Sequence, residues 1–212
     1  MTDEVGNKFT LPLAGDLPEN EYPDSVKLIE RLLSANNNVI IVTIGSFINV
    51  ANLLCKNRAL FLKSVDGLVS MAGDFADCTR REFNVVRSIE SAAYVADNCP
   101  VPITYCGYEA GAEVITGGLL EKCSDEFLVK QAYRIHQNGK YLRPSWDLIT
   151  VYYALYGLTE GLSLSGEYTV QFDKDGRTVK KPEGRDRYII CSDCRKIADV
   201  LNKLMCDPFI NR

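Results

Sequence analysis

The clearest hydrophobic pattern in the chain is a pair of apolar runs separated by a helical segment. Residues 39–44 form an uninterrupted, mostly β-branched run, which is typical of a strand covered on both faces. Gly45 ends this run, and Ser46 can cap the helix that follows. The second apolar run covers residues 68–71. A strand, a crossover helix and a second strand make a βαβ unit, so this pattern predicts a parallel sheet.

The rest of the chain alternates predicted helices with predicted strands. Helical spacing covers residues 24–36, 89–98, 119–138 and 193–205, and strand patterns cover residues 101–106, 167–172 and 187–191. A turn at residues 173–176 predicts a late β-hairpin. This order predicts an α/β fold with a mostly parallel open sheet flanked by helices, in one domain of residues 1–212. Residues 1–22 hold several proline and glycine residues, so we expect them to be irregular.

A further helix is predicted to begin at Pro144 and Ser145. Its apolar residues recur at i, i+3, i+4 and i+7, which indicates a stripe that faces the core. The stripe consists of Leu148, Val151, Tyr152 and Leu155.

Polar residues collect where the two strands of the βαβ unit end. Ligands of open α/β sheets bind outside the carboxyl ends of the strands. One loop leaves there at Ile44 and Gly45, and the other covers residues 73–84. The second loop has more polar side chains than a simple connection needs, namely Asp74, Asp77, Glu82 and Asn84. We therefore expect a binding site at this edge of the sheet.

Several segments in the same order resemble the nucleoside hydrolase family, the inosine–uridine-preferring N-ribohydrolases. They are V-T-I-G-S-F-I-N-V-A-N-L-L at residues 42–54, V-S-M-A-G at 69–73, R-E-F-N at 81–84 and S-W-D at 145–147. The resemblance implies that family's fold and the hydrolysis of ribonucleosides to ribose and base. The family begins with an aspartate-rich motif, D-x-D-x-x-x-D-D, and nothing before Val39 matches it. The resemblance is therefore to a form of the fold that is shortened at its amino terminus.

The resemblance also implies roles for individual residues. Glu82 and Asn84 correspond to residues that hold the ribose hydroxyls, and a carboxylate with an amide suits a diol that both donates and accepts hydrogen bonds. Asp147 corresponds to an aspartate that binds calcium and meets the ribose. Ile44 corresponds to a residue that gives its backbone carbonyl to the metal. Trp146 stands where the family often has a histidine; it cannot act as an acid, although it can stack on a base.

Calcium binding is implied by the resemblance, but its ligand set is incomplete in this sequence. Calcium takes six to eight oxygen ligands, and the matched ones are the Asp147 carboxylate and the Ile44 carbonyl. The aspartates of the missing motif would also activate the water, so we expect impaired hydrolysis. Two alternatives stay open. The chain is a non-catalytic ribose-binding or nucleoside-binding or assembly protein, or a separate polypeptide supplies the first strand and its aspartates.

Charge and hydropathy limit the classes of partner that the chain is expected to bind. A net charge of −4 gives no basic field for nucleic acid or an anionic membrane. No apolar stretch is long enough for a spanning helix, and the amino terminus lacks the pattern of a secretory signal, so we expect a cytoplasmic protein that binds a small ribonucleoside.

Without a leading βαβ portion, a sheet edge or an apolar face is left exposed unless residues 1–22 or another chain pack against it. We therefore expect a homo-oligomer, or a partner chain that supplies the missing strand.

Other possible chemical sites have weaker support. Cys191 and Cys194 form the one C-x-x-C pair, but no further zinc ligands follow at a suitable spacing, so free structural thiols are expected. Asp173 and Asp175 form the only D-x-D, in a predicted hairpin turn rather than on a strand. His136 is the only histidine, and we expect a surface or helix-end role for it.

Overall fold

A computed structural model describes residues 23–206, and the predicted irregular segment 1–22 lies outside that range. The helices are α1 (Ser25–Ala35), α2 (Ile48–Ser64), α3 (Phe83–Val86), α4 (Ile89–Asn98), α5 (Tyr108–Ala112), α6 (Leu128–His136), α7 (Trp146–Tyr156) and α8 (Cys194–Cys206). The strands are β1 (Val39–Thr43), β2 (Val65–Met71), β3 (Ile103–Cys106), β4 (Ile115–Thr116), β5 (Arg143–Pro144), β6 (Leu162–Leu164), β7 (Tyr168–Phe172), β8 (Thr178–Pro182) and β9 (Arg187–Cys191). A short 3₁₀ turn occupies Leu120–Lys122.

The main sheet has five strands in the order β1-β2-β3-β9-β6. Neighbouring strands from β1 to β9 pair in parallel, and only β6 runs antiparallel to its neighbour. The strands β7 and β8 form a separate antiparallel hairpin. The predicted α/β class, mostly parallel sheet and late hairpin are therefore confirmed.

Strand β1 lies at an edge of this sheet, which corrects one expectation. The β-branched run was expected to be covered on both faces, yet Ile40 is 44% exposed and the other β1 residues are half-buried. The reason is that β1 pairs only with β2 among the described strands. A β-branched sequence reports the preference for extended backbone, whereas burial depends on what packs beside the strand.

The ends of the first two helices show where capping could be inferred. The Asp24 side chain accepts a hydrogen bond from the Lys27 amide at 2.8 Å, so it caps α1 as expected. The expectation for Ser46 is wrong, because α2 begins only at Ile48 and the residue in the cap position is Phe47. Phe47 is fully buried in the core, so packing of its ring replaces a side-chain cap at this end.

Two later helices also differ from the sequence pattern. The predicted helix at residues 119–138 is two pieces, the 3₁₀ turn and α6, separated by a polar break in which the Ser124 hydroxyl accepts from the Glu126 amide. This local bond competes with helical hydrogen bonding. In α7 the predicted stripe is confirmed only in part. Tyr152 is buried and Leu148 packs against the core, whereas Leu155 is 71% exposed. The other buried positions of this helix are Ile149 and Thr150.

The core is divided between the two faces of the sheet. On one face, buried residues of α1, α2 and α4 pack with β2, β3 and β7, and the fully buried aromatics there are Phe47, Phe61 and Tyr105. Burying such a side chain contributes roughly 1.5–3 kcal/mol. On the other face, α5, α7 and α8 pack with β6 and β9. No helix within residues 23–206 combines the length and apolar character needed to cross a membrane.

Candidate functional site

A cleft of about 390 Å³ opens beyond the carboxyl ends of β1 and β2. It contains the residues that the sequence placed in a site, from three separate parts of the chain. The lining residues are Ile44, Met71, Arg80, Arg81, Glu82, Phe83, Asn84, Tyr108, Arg143, Trp146 and Asp147. The structure therefore brings Glu82, Asn84, Trp146, Asp147 and Ile44 into one hollow. Their binding roles stay predictions.

Glu82 sits in the N-cap position of the short helix α3 and is 3% exposed. Its carboxylate accepts hydrogen bonds from the backbone amides of Asn84, at 2.9 and 3.0 Å, and Val85, at 3.2 Å. A longer bond of 3.4 Å comes from the Gly73 amide. Burial raises the pKa of Glu82, and these backbone hydrogen bonds partly oppose the rise. The carboxylate thus fixes the loop, and its remaining acceptor capacity is what a ligand hydroxyl could use.

Asn84 is the second residue of the same helix and is almost fully buried. Its Nδ2 donates to the Met71 carbonyl oxygen at 3.0 Å, which ties the loop to the end of β2. The same nitrogen lies 3.0 Å from the Met71 sulfur. With the amide nitrogen directed at β2, the Oδ1 acceptor is the part of the side chain that can meet a hydroxyl donor.

Asp147 and Trp146 come from the first turn of α7. Asp147 is open to solvent, yet the protein atoms around its carboxyl group raise its pKa by desolvation, and the positive charge of Arg143 opposes that rise. A negative charge in the first turn is also stabilised by the helix dipole. Trp146 donates from its Nε1 to the Tyr108 carbonyl oxygen at 2.6 Å, and the two rings lie 5.4 Å apart. The indole is thus fixed at the wall of the cleft.

Gly111 shows how closely α5 approaches this wall. A Cβ atom at this position would lie 2.4 Å from the Trp146 Cδ1 and 2.6 Å from its Cα. Only glycine allows the two helices to approach in this way, so Gly111 determines where Trp146 and Asp147 stand.

The four polar residues of the 73–84 loop divide into two groups. Asp74 and Asp77 do not line the cleft. The Asp74 carboxylate accepts from the Arg80 amide at 3.1 Å, and the Asp77 carboxylate accepts from the Thr79 hydroxyl at 2.7 Å. These two residues shape the loop, whereas Glu82 and Asn84 reach the cavity.

The β7–β8 hairpin fastens this loop from the side. The Asp74 amide donates to the Thr178 hydroxyl at 2.9 Å, and Lys180 Nζ donates to the Phe75 carbonyl oxygen at 2.7 Å. Arg81 Nε donates to the Asp175 carbonyl oxygen, also at 2.7 Å. The hairpin therefore holds the cleft-forming loop through residues about a hundred positions later in the chain.

The described residues do not fit a calcium ion. Within residues 23–206 no group of three or more histidine, cysteine, aspartate or glutamate side chains could hold a metal. In the cleft, the possible oxygen ligands are the Asp147 carboxylate and the Ile44 backbone carbonyl. The Glu82 carboxylate is already engaged by backbone amides. Calcium needs six to eight oxygens, so these residues fall well short.

The other residues weighed from the sequence lie elsewhere. Asp173 and Asp175 pair with Arg177 within the hairpin turn. His136 accepts from or donates to Gln137 and contacts Arg143 rather than lining the cleft itself. Cys191 and Cys194, the C-x-x-C pair, carry free thiols.

The sequence reasoning did not identify three cleft arginines, Arg80, Arg81 and Arg143, or the ring of Tyr108. A signal for two of them was present, because Arg80 and Arg81 directly precede Glu82 in the loop already chosen. No comparable signal marks Tyr108 or Arg143, whose positions depend on how α5 and β5 pack.

Comparison with known families identifies the chain. A sequence profile described as inosine-uridine preferring nucleoside hydrolase matches residues 4–209, nearly the whole length. The chain belongs to this family. The resemblance read from the motifs at residues 42–54, 69–73, 81–84 and 145–147 is therefore confirmed. No curated protein matches the chain.

Solved structures of other family members share the fold. An inosine-uridine preferring nucleoside hydrolase from Bacillus anthracis has a TM-score of 0.69 at 18% identity, covering 86% of this chain and 65% of that one. A purine-preferring ribonucleoside hydrolase from Gardnerella vaginalis has a TM-score of 0.70 at 14% identity, covering 87% and 66%. A plant nucleoside hydrolase has a TM-score of 0.68 at 16% identity, covering 92% and 70%. At these identities the likeness shows the fold alone, and this chain spans less than two thirds of the Bacillus protein.

Proposed function

We propose that this nucleoside hydrolase-like chain binds a ribonucleoside in the cleft and that its reaction is hydrolysis of the N-glycosidic bond to ribose and base. The observation that carries the proposal is that Glu82, Asn84 and Asp147 share one hollow at the strand ends. Two carboxylates and the Oδ1 of Asn84 can together accept hydrogen bonds from the hydroxyls of a ribose. The indole of Trp146, which is fixed beside them at the wall of the cleft, offers a flat surface on which a base can stack.

In the proposed reaction water adds to the anomeric carbon and releases one proton, while the bond from that carbon to the base nitrogen breaks. The bonding electron pair leaves with the base, which then takes up a proton, and positive charge develops on the sugar ring. Asp147 and Glu82 would hold the ribose hydroxyls and place negative charge near that ring. Trp146 cannot protonate the base, because an indole N–H is not an acid at ordinary pH.

A second candidate is a non-catalytic protein that binds ribose or a nucleoside. The specific observation that favours it is the small oxygen set of the cleft within the described residues, which does not fit calcium. A general base alone is commonly worth about 10² to 10⁴ in rate. A chain that keeps the sugar contacts but lacks the acids that activate water would retain binding and lose most turnover.

Ribose release from inosine and uridine, measured with and without added calcium, separates the two candidates. If the chain is a hydrolase, we expect turnover that Asp147→Ala abolishes. If it is a binding protein, we expect no turnover but calorimetric binding of inosine that Asp147→Ala and Asn84→Ala weaken by about tenfold or more. Asp199→Ala is the matched control, because Asp199 is an exposed carboxylate on α8, outside the cleft lining. Both candidates would be refuted if the chain showed no turnover and also no binding.

A further inference from the structure

The charge of the cleft differs in sign from that of the whole chain. Three arginines line it, Arg80, Arg81 and Arg143, against two carboxylates, Glu82 and Asp147. Three positive charges less two negative ones give the cleft a charge of +1 with both carboxylates ionised, whereas the chain carries −4. A neutral nucleoside needs no such surplus of positive charge. The surplus indicates a ligand that carries negative charge.

The three guanidinium groups are oriented by partners that carry no negative charge. Arg80 lies over the ring of Tyr108, 3.7 Å from its centroid. Arg81 Nε donates to a backbone carbonyl oxygen at 2.7 Å, and Arg143 Nη1 donates to the His136 Nε2 at 3.1 Å. Each contact fixes a guanidinium group without cancelling its charge. Because a guanidinium has five N–H donors, most of its hydrogen-bonding capacity stays available to a ligand.

Acidic neighbours do not neutralise these arginines. Within residues 23–206 none of the three forms an ion pair shorter than 4 Å, while Arg177 and Arg187 each do. The pKa of Asp77 is lowered chiefly by its bond to the Thr79 hydroxyl, and the charge of Arg80 is a minor cause. Arg143 acts on Asp147 only at a distance. The carboxylate of Glu82 is already engaged by backbone amides.

We propose that the preferred ligand of this cleft is a phosphorylated ribose, in which the arginines hold the phosphate and the residues of the ribose site hold the sugar hydroxyls. This inference rests on the proposed ribose binding and adds the phosphate to it. Guanidinium groups match phosphate oxygens in geometry and charge, and such charge-assisted bonds are about twice as strong as neutral ones. The shared chemistry fits a free sugar phosphate and a nucleoside 5′-monophosphate.

Calorimetry with five probes tests the proposal: inosine, inosine 5′-monophosphate, ribose, ribose 5-phosphate and inorganic phosphate. We expect each phosphorylated compound to bind at least about tenfold more tightly than its unphosphorylated partner. This preference should shrink when ionic strength rises from about 0.01 M to about 0.15 M, because salt screens the contacts. Ribose 5-phosphate binding as tightly as the nucleotide would assign the sugar phosphate as the ligand. A nucleotide advantage would assign the nucleotide.

Variants connect the preference to the named side chains. Arg80→Gln and Arg143→Gln should each reduce the ratio of nucleotide to nucleoside affinity at least about fivefold, and the corresponding lysine variants should restore part of it, because they keep the charge. Arg31→Gln is the control. It removes one exposed charge from α1, outside the cleft lining, and should leave the ratio unchanged. Circular dichroism identifies variants that fail to fold, and for those the lysine variant gives the comparison.

The outcomes separate this inference from the proposed function. Inosine that binds as tightly as its 5′-monophosphate would overturn the phosphate preference and leave ribonucleoside binding intact. Inorganic phosphate that binds as tightly as ribose 5-phosphate would overturn the combined sugar and phosphate site. A phosphate preference that survives both glutamine variants would overturn the assignment to the arginines.

Discussion

Replacement of Glu82 by alanine tests the structural half of the candidate site. The carboxylate accepts from the amides of Asn84 and Val85 and, at 3.4 Å, from that of Gly73. Loss of an N-cap costs about 0.5–2 kcal/mol, and a buried N–H left without a partner costs about 1–3 kcal/mol. The Gly73 bond is long, and relief from burying a charge offsets part of the loss. We therefore expect Glu82→Ala to lower the free energy of unfolding by about 2 kcal/mol.

Urea unfolding measures this change without any ligand. The control is Asp24→Ala, which removes the exposed cap of α1, where one amide bond of 2.8 Å is lost. An exposed cap lets water replace the lost partner, so we expect the control to cost about 1 kcal/mol or less. A Glu82→Ala protein within about 0.5 kcal/mol of the parent would refute the reasoning, since that is the range of substitutions that remove no structural contact.

The pH dependence of the same variant provides a second check. Because burial raises the pKa of Glu82 above its ordinary value of 4.5, the folded state binds the proton more tightly than the unfolded state does. The contribution of this group to stability is therefore fully present below pH 4.5 and decreases as pH rises through the folded pKa. The destabilisation caused by Glu82→Ala should accordingly be larger near pH 4.5 than near pH 8. The opposite trend would show that the hydrogen bonds, rather than burial, dominate the pKa.

Three further measurements test other parts of the fold. In thermal melts, Gly111→Ala should lower the free energy of unfolding by about 1–3 kcal/mol, because the new Cβ would lie 2.4 Å from the Trp146 Cδ1. The control is Gly118→Ala, which should cost clearly less, because the nearest atom to its new Cβ lies at 3.7 Å. Asp186→Ala should cost about 2 kcal/mol in urea unfolding, because its buried carboxylate accepts from the Ile103 amide at 3.0 Å; an unchanged midpoint would contradict this. Light scattering should show a homo-oligomer, since β1 is an edge strand of the described sheet, and a monodisperse monomer would refute that expectation.

The strand order shows what the sequence could and could not provide. The βαβ unit and the late hairpin follow from period and turn residues, which act locally and are visible in one chain segment. The exposure of Ile40 and Leu155 depends on whether another element packs beside them, and no local pattern contains that information. For the same reason, Phe47 could not be recognised as the buried start of α2.

Some residues of the candidate site could likewise be predicted from the sequence, and others could not. Glu82 and Asn84 could be predicted because the carboxyl ends of neighbouring parallel strands lie together. Asp147 is far away in sequence, and only the family resemblance placed it nearby. The cleft arginines were missed because an arginine beside a loop acid is usually a solvated surface residue, and only the structure shows which cavity Arg143 lines.

The attachment of the hairpin to the 73–84 loop affects the order in which a newly made chain can mature. All residues that line the cleft have emerged by Asp147, yet the loop's fasteners, Thr178 among them, are synthesised later. The amide of Asp74 and the hydroxyl of Thr178 are separated by 104 positions, and contacts of such range form slowly. A nascent chain that already has every cleft residue should therefore be unable to hold a ligand until the hairpin has left the ribosome.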